Sequence, residues 1–144
     1  MKPKEFLSQL SDEEVVGAIK ATEAKTSGEI RVFVSHKKVP DPVAAAQNHF
    51  YKLKMDRTRQ RNAVLIFVAP ASHNFAIIGD AGVHARCGES FWSQVASEMN
   101  DHFKRAAWTD GIIHAIQKAG DLLGQHFPRE SGDVNELSDK VERD

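Results

Sequence analysis

Asn62-Ala63-Val64-Leu65-Ile66-Phe67-Val68-Ala69-Pro70 is the stretch on which the fold turns. An unbroken apolar run of strand length, bounded by a polar residue and a proline, predicts a central β-strand that must be covered on both faces. Downstream, Ala71-Ser72-His73-Asn74 reads as a short turn, and Phe75-Ala76-Ile77-Ile78 as the return strand of a hairpin ending at Gly79-Asp80-Ala81-Gly82. Upstream, Ile30, Val32 and Val34 alternate with Glu29, Arg31 and Phe33 from Glu29 to Ser35, the period-two pattern of another strand.

The cover for these strands is legible as helical periodicity. Ser11-Asp12-Glu13-Glu14 fits a capping box, and Val15, Ala18 and Ile19 share one helical face until Thr26-Ser27-Gly28 ends the run. After Pro40-Asp41-Pro42, the spacing of Val43, Ala46, Phe50 and Leu53 predicts a helix over 41–54, followed by a basic linker from Lys54 to Arg61. Phe91, Trp92, Val95 and Met99 form another stripe, read as core, and Ile112, Ile113, Ile116, Leu123 and Phe127 define a longer last helix before Pro128. The expected fold is an α/β three-layer sandwich over residues 1–128, with a small mixed sheet of about four strands between helical layers. Residues 129–144 hold six acids and three bases and are expected to be a loosely held polar tail.

Composition removes several function classes. The chain has 144 residues, 41% of them hydrophobic and 27% charged, the balance of one globular domain. Nineteen Lys and Arg against twenty Asp and Glu leave a net charge of −1, so the global charge attracts neither nucleic acid nor an anionic membrane. The single Cys87 cannot close an internal disulfide or supply a multi-thiolate metal centre, and is read as an idle thiol. Neither a signal-peptide core nor a membrane-spanning apolar stretch is present, so no membrane insertion and a cytoplasmic location are expected.

Ordered blocks of sequence carry a resemblance. Thr26-Ser27-Gly28-Glu29-Ile30-Arg31-Val32, then Thr58 with Arg61-Asn62-Ala63-Val64-Leu65-Ile66-Phe67-Val68-Ala69, then Ile78-Gly79-Asp80 with Gly82-Val83-His84, resemble the successive motifs of the TPM-domain family. Phe91-Trp92, His126-Phe127-Pro128 and Asn135-Glu136-Leu137 resemble its compact bacterial branch. The resemblance spans about residues 5 to 140. It implies an α/β/α sandwich with an acidic cleft for a divalent cation, commonly calcium, and it brings a phosphatase label whose activity is not general among bacterial members.

Asp80, opening a Gly-Asp-x-Gly turn after an apolar strand, is the first candidate for a metal ligand. Glu29 and Asp110 join it as candidates if their elements meet at one edge of the sheet. Three converging carboxylates would call for Ca²⁺ or Mg²⁺ rather than zinc, with calcium the better fit to an irregular cluster. The bland alternatives are an Asp80 that bonds its own turn, a Glu29 paired with Arg31 or Arg61, and an Asp110 that serves the helix dipole. Arg31, Arg61 and Asn62 are the supporting residues of such a site, able to orient a carboxylate or meet a phosphate oxygen, with structural pairing their expected role. His84 is the weak catalytic candidate, as a general acid. The remaining histidines, 36, 49, 73, 102, 114 and 126, show no zinc-type spacing, and Asp110 with His114 suggests only a surface hydrogen bond.

No nucleophile elbow, P-loop or dinucleotide fingerprint occurs. The leading expectation is a cation-binding module acting on a protein or small anionic ligand. A metal-dependent acid phosphatase is the second, and the third is a basic module in which Lys52, Lys54, Arg57, Arg59 and Arg61 attract nucleic acid weakly.

Overall fold

The computed structural model describes residues 9–88, 90–129, 137 and 139–144, with Ser90 and Phe91 described in their backbone alone. In chain order the elements are α1 (Asp12–Glu23), β1 (Glu29–Val34), α2 (Pro42–Lys52), β2 (Ala63–Ala69), β3 (Asn74–Gly79), α3 (Ala81–Cys87), α4 (Ser90–Lys104), α5 (Trp108–His126) and β4 (Glu142–Arg143). Short 3₁₀ turns occupy Met55–Arg57 and Pro70–Ser72.

Local chemistry starts the helices where the sequence marks them. The Ser11 hydroxyl accepts the Glu14 N–H at 3.3 Å and caps α1, and the Asp41 carboxylate accepts the Ala44 N–H at 3.1 Å and caps α2 beside Pro42. The sheet is mixed and runs β3-β2-β1-β4. β1 is parallel to β2, with Glu29 opposite Ala63, and β2 is antiparallel to β3, with Val64 opposite Gly79.

Alternation along β1 and β2 divides the interior into two cores. Ile30, Val32, Val34, Val64, Ile66 and Val68 face α1, α4 and α5, whereas Phe33, Ala63, Leu65 and Phe67 face α2 with its Ala46 and Phe50. Every residue of β2 is buried, so the seven-residue apolar run is what a strand sandwiched between two helical layers requires. The expected three-layer sandwich is the observed one, and Trp92 lies in the core as read; the side chain of Phe91 falls outside the described residues.

Two elements differ from expectation. The turn after Asp80 is the start of α3, a helix too short for a periodic pattern. The tail is not loose throughout: Glu142 and Arg143 lie parallel to Phe33 and Val34, and Val141 is buried. Side chains fix this strand: Arg31 donates to Glu142, the Ser35 hydroxyl donates to Asp144, and the His36 N–H donates to Asp144 at 2.9 Å. Residues 130–136 and 138, including Asn135-Glu136, lie outside the described residues. No described helix is long and apolar enough to cross a membrane.

Candidate functional site

The register brings the start of β1, the start of β2 and the end of β3 to one end of the sheet. Ala63 stands between Glu29 on one neighbour and Asp80 on the other, and the Asp80 N–H donates to the Ala63 carbonyl at 2.9 Å. Two strand spacings place the backbones of Glu29 and Asp80 about 10 Å apart.

Asp80 is buried and fully engaged. Arg61 grips its carboxylate from two sides, Nε to Oδ2 at 2.6 Å and Nη2 to Oδ1 at 2.7 Å, and the Ala81 N–H donates to Oδ1 at 2.7 Å, so Asp80 caps α3. The Arg61 side chain is 48% exposed against 5% for Asp80, so the buried anion is neutralised by a cation that still reaches solvent. Its hydrogen bond to Asp80, and next their mutual charge, hold the Arg61 proton more firmly than usual. Arg61 itself adopts the left-handed backbone region, φ 52°, and its carbonyl accepts the Gly82 N–H at 2.9 Å. A Cβ on Gly82 would stand 2.6 Å from that oxygen and 2.3 Å from the Gln60 carbonyl, which is why a glycine opens α3 there.

Arg61, Asp80 and His84 line a groove of about 530 Å³ whose other wall comes from α2 through Val43, Phe50 and Tyr51. His84 is exposed one turn along α3. A pair locked by two hydrogen bonds is suited to meet a ligand through the outer face of Arg61 and poorly suited to give Asp80 to a metal.

The acidic part of this end lies on the other side of β1. Glu23, the last residue of α1, and Glu29 are 6% and 2% exposed. Burial first, then a hydrogen bond with Asp139, then the charges of Glu29 and Asp139, push the Glu23 carboxyl up to about 9, against a backbone hydrogen bond at Ile30 that pulls it down. At neutral pH, therefore, the Glu23 carboxyl keeps its proton. The Arg129 guanidinium reaches the same helix end, donating to the Glu23 carbonyl at 3.1 Å. Among the described residues no three His, Cys, Asp or Glu side chains stand in an arrangement able to hold a metal ion.

The expected trio is thus divided. Asp80 and Glu29 share the sheet end, but Asp110 does not: α5 carries its C-terminal end to Ser27, whose N–H donates to Phe127 at 2.9 Å, and its first turn to Ser11, whose N–H donates to Thr109 at 3.1 Å. Sixteen residues of helix, about 24 Å, lie between Asp110 and that end. Nor does Asp110 bond His114, whose Nε2 meets Glu98 while its ring stacks on His102 at 5.2 Å. Arg31 is committed to Glu142, and Asn62 is a strut: its N–H donates to the Thr58 hydroxyl at 3.3 Å, its Nδ2 donates to the Ser27 hydroxyl at 3.3 Å, and its carbonyl accepts the Glu29 N–H at 3.4 Å.

Sequence reasoning missed Glu23 and Asp139. Glu23 left a signal, since Val15, Ile19 and Glu23 recur every fourth residue and put a carboxyl on the apolar stripe of α1. Asp139 left none in an acid-rich tail. Cys87 is half-buried with its thiol pushed up by burial, in keeping with an idle role.

A sequence model of the TPM domain matches residues 1–122. The chain belongs to the TPM-domain family. This TPM domain superposes on the NMR structure of the BA42 protein from the psychrophilic bacterium Bizionia argentinensis with a TM-score of 0.86 at 34% identity, covering 94% of this chain and 96% of that one. More distant TPM-like folds include the N-terminal domain of a P. gingivalis protein, TM-score 0.68 at 14% identity over 84% of this chain and 82% of that one. The N-terminal domain of a Corynebacterium glutamicum protein follows, TM-score 0.57 at 14% identity, covering 91% and 82%. No curated protein matches the chain.

Proposed function

We propose that this TPM domain is a binding module regulated by a divalent cation, and that Glu23 and Glu29 hold the ion in exchange for the Glu23 proton. The observation that carries the reading is the placement of two buried carboxylates, Glu23 and Glu29, 6% and 2% exposed, at one end of the sheet, close enough for the charge of Glu29 to help hold the Glu23 carboxyl above its ordinary range. The donors are oxygens, which suits a hard cation, and Ca²⁺ accepts a wider range of geometries than Mg²⁺. Asp80, already neutralised by Arg61, takes no part in holding the ion, and Asp110 is out of reach.

The test is calorimetric titration of chelated protein with calcium. One proton leaves with each ion bound, so affinity should rise about tenfold per pH unit between pH 6 and pH 8, and Glu29→Gln should abolish binding. No heat and no change in Tm at about 1 mM calcium, or a pH-independent affinity, would reject the site.

The phosphatase reading has in its favour that Arg61, Asp80 and His84 share one groove. Its assay is hydrolysis of an aryl phosphate at acid and neutral pH. A rate that survives Asp80→Asn, or one no higher than background, removes it.

A further inference from the structure

Among the described residues β3 is one of the two edge strands of the sheet, and β2 occupies one side of it. The Asp80 N–H bond to Ala63 fixes the phase of the antiparallel ladder: Asp80, Ile78 and Ala76 turn their peptide groups toward β2. By alternation the N–H and C=O groups of Phe75, Ile77 and Gly79 point outward, a ladder ready for another strand. Natural outer strands are guarded by charge, proline or a bulge, and Asn74-Phe75-Ala76-Ile77-Ile78-Gly79 carries neither charge nor proline.

The groove lies along this border, with Ile77, Ile78 and Gly79 on one wall. Val43 and Tyr51 on the other wall are 49% and 62% exposed, and they are the exposed large hydrophobic side chains among the described residues. From Tyr51 the chain runs to Arg61 through Lys52, Lys54 and Arg57, all three exposed, and the one acid of this segment is Asp56. A basic rim beside an apolar groove and an open ladder, in a chain whose net charge is −1, is a local and matched combination.

We propose that β3 and this groove take an extended acidic peptide segment of a partner protein, which adds to β3 as a further strand. Its alternate aliphatic side chains seat between Tyr51 and Val43, and its carboxylates lie along Lys52 to Arg61. Charge complementarity selects this occupant over a second copy of the chain, because the one acid on the β3 border of another copy, Asp80, is buried and already held by its own Arg61. The site is separate from the Glu23 and Glu29 pocket and does not depend on a cation.

A fluorescein-labelled peptide of about eight residues, alternating Glu and Val, is the probe, with a Lys–Val peptide and a uridine oligonucleotide as comparisons. Anisotropy should show binding of the Glu–Val probe alone, weakened by salt, and weakened about tenfold in Tyr51→Ala with its Tm unchanged. Amide exchange on the full chain should slow at Phe75, Ile77 and Gly79 and stay unchanged at Ala76 and Ile78. Equal binding of the Lys–Val peptide, preference for the oligonucleotide, protection that spares those three amides, or peptide-free dimerisation through β3 would each overturn the proposal.

Discussion

A methyl group at Gly82 would collide with two backbone carbonyls, of Gln60 and Arg61, neither of which can swing aside as a side chain can. Gly82→Ala is therefore expected to cost about 1–3 kcal/mol in urea denaturation, and to loosen the Arg61 grip on Asp80 as the linker shifts. Glu23 makes a prediction of opposite character. Its carboxyl is raised from an ordinary 4.5 to about 9, so the folded state binds its proton more tightly than the unfolded chain does. That contribution to stability is complete below pH 4.5 and drains away as pH rises toward 9. Chelated protein should lose Tm between pH 5 and pH 9, and Glu23→Gln, which mimics the neutral acid, should flatten the profile. An unchanged slope in that variant would place the titration elsewhere. These residue-level facts were partly legible: the glycine and aspartate of the turn announced a special backbone, whereas the partner of Asp80 depends on the left-handed turn at Arg61, which no spacing encodes.

At the scale of elements, β2 was readable to the residue because burial on both faces forces an uninterrupted apolar run, and the helix starts at Ser11 and Asp41 were readable because capping is local chemistry. Two elements gave no comparable pattern. α3 is seven residues long, less than is needed to show a stripe, and β4 is two polar residues placed by partners across the fold. Their energetics separate accordingly. Ile66, fully buried at the centre of β2, should cost about 2–5 kcal/mol when cut to alanine. Glu142→Ala removes the acceptor of the buried Arg31 guanidinium and should cost about 1–3 kcal/mol, a large effect for a residue in a tail of unremarkable composition. Thermal or urea unfolding of the two variants checks both; a neutral Glu142→Ala would mean that the Asp144 and Arg143 contacts with the backbone pairing suffice to hold β4.

For the molecule as a whole, one sheet separates two cores of different depth. α1, α4 and α5 bury one face, while among the described residues α2 is the one helix on the other, joined there by Val39, Met55 and Leu137. Fold class follows from periodicity and could be read; convergence of acids does not, since Asp110 looked as plausible as Glu29, and only the fold decides which end of α5 meets the Glu29 end of the sheet. The last residues to join that sheet are also the most distant along the chain: Arg31 and Glu142 are 111 positions apart. During synthesis, β1 must therefore wait for its β4 partner until residue 143 has been made, 17 residues after α5 ends at His126. Released chains cut after Pro128 should leave that flank of β1 uncovered and be prone to associate, and addition of the last strand should act as the latch that ends that vulnerability.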